Sequence, residues 1–310
     1  MFTHLPHSFL QMNTIFISIL IEALPFVLIG VFIAGFIQMF ISEQFIARII
    51  PKNKFLAVIV GSVIGVFFPS CECGIVPIVR NLMLKGVPLH AGIAFMLTAP
   101  IINPVVVFST YVAFGSTWEM PILRIVGSLV VAIIVGNAIA YFYKGTGLKD
   151  RFLRVEEAVH EETHPHEHHH HHKLSFSQKV WHTLQHAVDE FFSVGKYLVF
   201  GALLAAAMQT YIKTSTLSAI GHGPVLSILL MMVLAFLLSL CSEADAFIGA
   251  SFRSVFSTQS IVAFLVFGPM LDIKNLLMMG STFKAKFILY IVAGATAVVF
   301  LYALLLIFIV

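Results

Sequence analysis

The residues able to do chemistry are few, and they fall in short clusters. All three cysteines, Cys71, Cys73 and Cys241, lie in the stretches "PSCECG" (69–74) and "CSEAD" (241–245). Thiolates suit soft ions such as Zn(II), Cu(I) or trivalent arsenicals rather than Mg or Ca. A closed structural zinc site wants four ligands, so three thiols flanked by acids read as a site of transient capture. Glu72, Glu243, Asp245 and Asp272 stand in otherwise apolar sequence, and Asn103 supplies an uncharged oxygen. Ionisable groups at membrane depth serve as proton relays or ion ligands. The expected substrate contacts are therefore Cys71, Glu72, Cys73, Asn103, Cys241, Glu243 and Asp245. The expected proton-coupling groups are Glu22, Glu243, Asp245, Asp272 and Lys274. Plainer readings compete. A free cysteine can be a small buried hydrophobe, and intramembrane acids can simply pair helices. Thiol redox chemistry is a third reading, but C-x-C is a poor match to the C-x-x-C redox spacing.

The elements that position these groups follow from composition. The chain is 59% apolar and only 11% charged, with 30 Phe and 2 Trp. Soluble domains run near 45–50% apolar and about 25% charged. This excludes a soluble enzyme, a nucleic-acid binder and a disordered chain, and it predicts an all-α polytopic membrane protein. Helices are the default because the bilayer offers free backbone groups no partner. A span needs ~20 mostly apolar residues, and eight segments meet that need: 14–41, 55–79, 88–112, 120–143, 191–212, 224–257, 259–282 and 285–309. Residues 1–13 lack the basic start of a cleavable signal peptide, so the first apolar run is expected to remain as a span.

Between segments four and five lies a polar stretch, 144–186, that carries His164, His166, His168, His169, His170, His171 and His172. It reads as a linker, too biased in composition to pack a core. Clustered imidazoles bind transition metals, so a transition-metal ion on these histidines is the one cofactor expected. The linker divides the chain into membrane halves, 1–143 and 187–310. The halves align on their unusual residues: Gly30 with Gly201, Gln38 with Gln209, Cys71 with Cys241, Pro100 with Pro269 and Asn103 with Asp272. An internal repeat is expected. With eight full spans the basic residues divide almost evenly between the two sides. With segments two and six as re-entrant hairpins, all the loop cations except Lys213 and Arg253 fall on one side. The positive-inside rule prefers the second arrangement. It makes the repeats inverted and puts the histidine linker in the cytoplasm. In either case Pro, Gly and polar groups interrupt segments two, three, six and seven. Irregular backbone at that depth is tolerated where it is buried in protein or lines a cavity.

The stretches "PSCECGIVPIVRNLMLKGVPLHAGIAFMLTAPIINP" (69–104), "LCSEADAFIGASF" (240–252) and "FLVFGPMLDIK" (264–274) resemble the paired motifs of the predicted-permease family that includes ArsP-like organoarsenical efflux permeases. The resemblance covers nearly the whole chain. It implies an integral transporter of the inner or plasma membrane. It implies a family core at Cys71, Cys73, Gly74, Pro77, Pro100, Asn103, Pro104, Cys241, Glu243, Asp245, Pro269, Asp272 and Lys274. Some members resemble one half of a two-component permease, so a second membrane subunit or a homo-oligomer is an expected partner beside the lipid bilayer and a small substrate. No G-x-x-x-x-G-K-[ST] pattern is present, so ATP hydrolysis is not expected. The expected function is secondary transport: export of a soft metal, metalloid or thiophilic compound through a midplane site between Cys71–Gly74 and Cys241–Asp245. A membrane thiol oxidoreductase, or a non-transporting or channel subunit, is the alternative.

Overall fold

The computed structural model describes residues 7–40, 50–67, 72–149, 176–211 and 223–309. These residues are helical almost throughout, and the sheet-like pairing among them is one antiparallel bridge, Leu148 with Phe283. The first half contains α1 (His7–Phe40), α2 (Lys54–Ile64, continued by a 3-10 turn over Gly65–Phe67), α3 (Glu72–Leu84), α4 (Leu89–Ile102), α5 (Pro104–Ala113) and α6 (Glu119–Phe142). The second half contains α7 (Phe176–Tyr211), α8 (Pro224–Leu238), α9 (Ser242–Ser251, followed by a 3-10 turn over Phe252–Ser254), α10 (Thr258–Met270), α11 (Ile273–Thr282) and α12 (Ala285–Leu306).

Among the described residues the apolar segments are not eight uninterrupted spans. By length and composition, four helical stretches among the described residues can cross a bilayer: Ser8–Ile37, Glu119–Phe142, Thr258–Thr282 and Ala285–Leu306. The bent pair α4–α5 makes a fifth. Segments two and six are each two shorter helices, because their sequence breaks mid-way. Helix α7 begins at Phe176, inside the stretch assigned to the linker, and exposes Trp181, Leu184 and Val188 at helical spacing.

Each break has a local cause. Pro104 disfavours helical backbone in the residue before it. Asn103 is accordingly extended (φ −56, ψ 133), and its side chain accepts from the Val105 N–H at 2.8 Å, capping α5. The chain bends there by about 40°. Asp272 is extended likewise (φ −129, ψ 176) and caps α11 by accepting from Asn275 N–H at 2.6 Å. Ser239 ends α8 in the left-handed region (φ 50), and Cys241 then starts α9 from extended backbone. Buried half-helix ends need such caps, because their first N–H groups have no partner within the helix.

Helices α4 and α10 form the centre. Every residue of 91–102 and of 260–275 is buried. Both are apolar all round, the pattern of a helix enclosed on every side. Helix α4 packs against α2 and α6, and α10 against α8 and α12. Helices α1 and α7 pack on each other, α1 also on α3, and α7 also on α11. The α1–α3 contact is close enough to require glycine: a Cβ on Gly30 would lie 2.7 Å from the Gly74 Cα.

The two ends of the molecule gather different loops. At one end Ala57, Val87 and Ala91 form a cluster with Ile50 and Leu82. Lys54 Nζ donates to the Ala140 carbonyl at 3.0 Å, and the strand-like segment 147–149 pairs with 282–284. At the other end Arg253 donates to the Phe114 carbonyl at 3.5 Å and lies over the Phe114 ring. Ser227 and Ser260 hydroxyls meet at 2.8 Å, joining the start of α8 to the start of α10.

Candidate transport site

The N-termini of α3 and α9 meet inside the molecule. Glu72, the first residue of α3, is fully buried, and the Ser242 hydroxyl at the start of α9 donates to its Oε2 at 3.3 Å. Lys274, in the first turn of α11, places Nζ 3.6 Å from Glu72 Oε1 and 3.7 Å from Asp272 Oδ2. Glu72 and Asp272 are 0% exposed and Lys274 is 2% exposed. The helix ends explain why acids collect here. Glu72, Glu243 and Asp245 all sit in first turns, and Asp272 is an N-cap. The positive end of each helix dipole favours negative charge at those positions.

A cavity of about 10 Å³ opens beside this ion pair, lined by Ile19, Glu22, Ala23, Glu72, Cys73, Cys241 and Lys274. Five of the residues expected to handle substrate or protons therefore line it, Glu22 being brought there by α1. The Cys241 thiol donates to Glu243 Oε2 at 2.8 Å, which ties one thiol to an acid two positions along the helix. Cys73 is buried and in the reduced form. The cavity lies below the ~300–1,000 Å³ of sites for organic ligands. It is the size of an ion or a very small inorganic species.

Asp245 lies deeper. It is 1% exposed, and its Oδ2 has no hydrogen-bond partner. Gly268 leaves room for it: a Cβ there would lie 2.9 Å from Asp245 Oδ2. The field at Asp245 comes from Arg124, Glu72, Lys274 and Asp272. Arg124 is the group that reading by motif missed. Its side chain is buried and bridges three elements: Nε donates to the Leu265 carbonyl at 3.1 Å, one terminal nitrogen to the Thr110 hydroxyl at 2.7 Å, and the other to the Ser242 carbonyl at 3.0 Å. The Leu265 carbonyl needs this donor because its helical partner position, four residues on, is Pro269, which has no N–H. The sequence signal was a lone arginine within an apolar span, which is costly unless it is used.

Other expected residues are placed differently. Asn103 is buried, but its side chain caps α5 and is not among the residues lining the cavity. Cys71 and the histidines His164, His166 and His168 to His172 lie outside the described residues. Among the described residues, no three His, Cys, Asp or Glu side chains are arranged to hold a metal ion.

Comparison with known proteins adds the family. A family described as "Predicted permease" matches residues 8–308. The chain belongs to this predicted-permease family. Among relatives of the permease, UPF0718 protein YcgR of Bacillus subtilis (strain 168) is 58% identical over 292 residues, 94% of this chain and 95% of that protein. A Streptococcus mutans protein named as a subunit of a two-component membrane permease complex is 47% identical over 304 residues, 98% of this chain and 97% of that protein. A more distant relative, UPF0718 protein MJ0584 of Methanocaldococcus jannaschii, is 27% identical over 150 residues, 48% of this chain and 40% of that protein. No solved structure matches the permease. Family membership and the apolar helices together make it a multi-pass membrane protein.

Proposed function

We propose that this permease is a secondary transporter of the cell membrane that exports a soft metal ion, metalloid or thiophilic compound through the site between α3 and α9. The observation that carries the reading is the cavity where Glu22, Glu72, Cys73, Cys241 and Lys274 converge at the meeting point of two interrupted helices. Thiols supply soft donors. Acids and a lysine buried beside them supply exchangeable charge, and buried ionisable groups in membrane proteins mark ion and proton pathways. Proton coupling is assigned to Glu22, Glu243, Asp245, Asp272 and Lys274. Cys71 adjoins Glu72 in sequence and belongs to the proposed donor set.

The eight apolar segments form two inverted repeats in this reading, with segments two and six as re-entrant hairpins. The end contacts support it. Segment two starts near Ile50–Ala57 and finishes near Leu82–Val87, and those two stretches pack together. Segment six starts at Pro224 and leads into α10 at Thr258, and Ser227 and Ser260 are hydrogen bonded. The end that gathers Lys54, Lys149 and Lys284 is then cytoplasmic, and so is the histidine-rich linker, where a transition metal would bind. Alternating access moves one repeat against the other around the site. The Streptococcus mutans relative's name supports a second membrane subunit as partner.

The test is uptake into inside-out vesicles, read by elemental mass spectrometry, with Zn(II), Co(II), Ni(II), Cu(I), arsenite and a trivalent methylarsenical. Accumulation of one species, lost in Cys73→Ser and Asp245→Asn and abolished by collapsing the proton gradient, is the expected result. No accumulation of any species by wild type supplied with its partner subunit overturns the cargo reading.

A further inference from the structure

We propose that the outer face of α5 and α9 is an interface at which a second copy of this chain docks, about a two-fold axis along the membrane normal. The interface rests on the repeat alignment proposed above and is independent of the cargo. The contacts of the two halves run in parallel. Helix α4 packs on α2, α3 and α6, and α10 packs on α8, α9 and α12. Helix α3 packs on α11, and α9 packs on α5. The alignment exchanges these last two pairs, α3 matching α9 and α11 matching α5, and so predicts the same surroundings for each. The surroundings differ. Helices α1 and α7 both lie against the α3–α11 pair, α1 on α3 and α7 on α11. Residues 72–79 of α3 and 273–275 of α11 are buried. Val105, Phe108 and Val112 of α5 and Phe247 and Ile248 of α9 are exposed.

The match extends to single positions. Gly30 and Gly201 bring α1 and α7 against Gly74 and Lys274, where added Cβ atoms would lie 2.7 and 3.1 Å from the two Cα atoms. The aligned positions on the other pair are Ala244 and Val105. Ala244 is partly exposed and Val105 is exposed. Lipid is a poor cover for this face. The chain breaks at Asn103–Pro104 and Pro104 is exposed. Irregular backbone at membrane depth is tolerated where protein buries it or where it lines a water-filled cavity. The chemistry of the face fits a second copy. The exposed residues of α5 and α9 include no charged side chain, so the face can meet itself without like-charge repulsion. The exposed flanks of α1 and α7 carry Glu22, Asp189 and Lys196 instead. A two-fold axis pairs a surface with itself, and an axis along the membrane normal keeps each residue at its own depth. Phe108, Tyr111 and Trp118 form an aromatic ladder, with successive centroids 6.5 and 4.8 Å apart. Aromatic side chains are the usual anchors of protein interfaces.

The experiment places p-benzoylphenylalanine singly at Phe108, Phe247, Phe32 or Leu301 of the full chain. Two differently tagged forms are co-expressed and the intact membranes are irradiated. Adducts carrying both tags are expected from positions 108 and 247, and not from 32 or 301. Phe108→Ala/Val112→Ala/Phe247→Ala is expected to weaken self-association in lipid about tenfold, read by energy transfer between labelled copies. If that variant does not fold, the adducts decide, because they form in otherwise wild-type chains. Two-chain adducts absent at 108 and 247, or equally strong at 32 and 301, overturn the proposal. Adducts joining 108 or 247 to a different polypeptide give the face another occupant and overturn it as well. Failure of the repeat reading shows separately, as labelling of positions 54 and 85 from opposite sides of the membrane. Two-chain adducts at 108 and 247 sustain the interface even then.

Discussion

At the residue scale the site depends on side chains whose partners are set by backbone defects. Arg124 compensates for the hydrogen bond that Pro269 cannot make, and also reaches Thr110 and Ser242. Arg124→Lys keeps the charge but loses the planar fork, and an unsatisfied buried polar group costs about 1–3 kcal/mol. Arg124→Ala removes the charge as well, and breaking a buried charged network costs about 3–5 kcal/mol. Thermal unfolding in detergent should rank wild type above Arg124→Lys above Arg124→Ala. Equal midpoints for the two variants would show that the fork carries no weight. Gly268 is the other sensitive position, since its missing Cβ is the space used by Asp245. Overpacking of this kind costs about 1–3 kcal/mol. Gly268→Ala should lose that much in wild type and much less in an Asp245→Ser background, where the carboxylate is gone. A double-mutant cycle with no interaction energy would separate the two residues.

At the element scale the recurring unit is a half-helix with a capped start. Asn103 and Asp272, which the proposed repeat aligns, both sit at the break after a proline-containing helix, and both accept a backbone N–H of the next helix. Replacing an N-cap by Ala costs about 0.5–2 kcal/mol. Asn103→Ala should fall in that range, because the side chain does no more than cap. Asp272→Ala should lose more, about 3–5 kcal/mol, because the Lys274 ion pair goes with the cap. Similar midpoints for the two would mean that the lysine is indifferent to Asp272. The aligned glycines also act at element contacts, though on different neighbours. Gly30 lets α1 approach Gly74 of α3, and Gly201 lets α7 approach Lys274 of α11. Each brings a long helix against one bearing a charged member of the site.

At the scale of the whole molecule, the proposed function turns on which loops share a side of the membrane. Lys54 and Lys85 flank segment two, and the stretches around them pack together through Ala57 and Val87. Cysteines introduced at Lys54 and Lys85 should react with an impermeant maleimide from the same side. One introduced at Val255 should react from the opposite side. Labelling of positions 54 and 85 from opposite faces would make segment two a full span and remove the inverted arrangement. The two charge centres also differ in kind at this scale. Arg124 joins α5, α9 and α10 through three hydrogen bonds, whereas Lys274 stands between acids of the two halves, Glu72 and Asp272.

Composition alone determined that this is a helical membrane protein, because so apolar a chain has to satisfy its backbone within helices. The interruptions were also legible, since Pro104, Pro269 and the Cys-Glu-Cys and Cys-Ser-Glu-Ala-Asp stretches cannot continue an apolar helix unchanged. The pairing of acids with thiols was legible as adjacency in sequence, and Glu22 as an acid in the first apolar run. Only the tertiary structure decided that Glu22, Cys73, Cys241 and Lys274 line one cavity, that Asn103 is a cap outside its lining, and that Arg124 serves the carbonyl freed by a proline more than a hundred positions away. Sequence periodicity fixes which residues lie on one helix. Which helix starts meet is set by packing of apolar faces with little polar patterning, and that information is spread over contacts between the two halves.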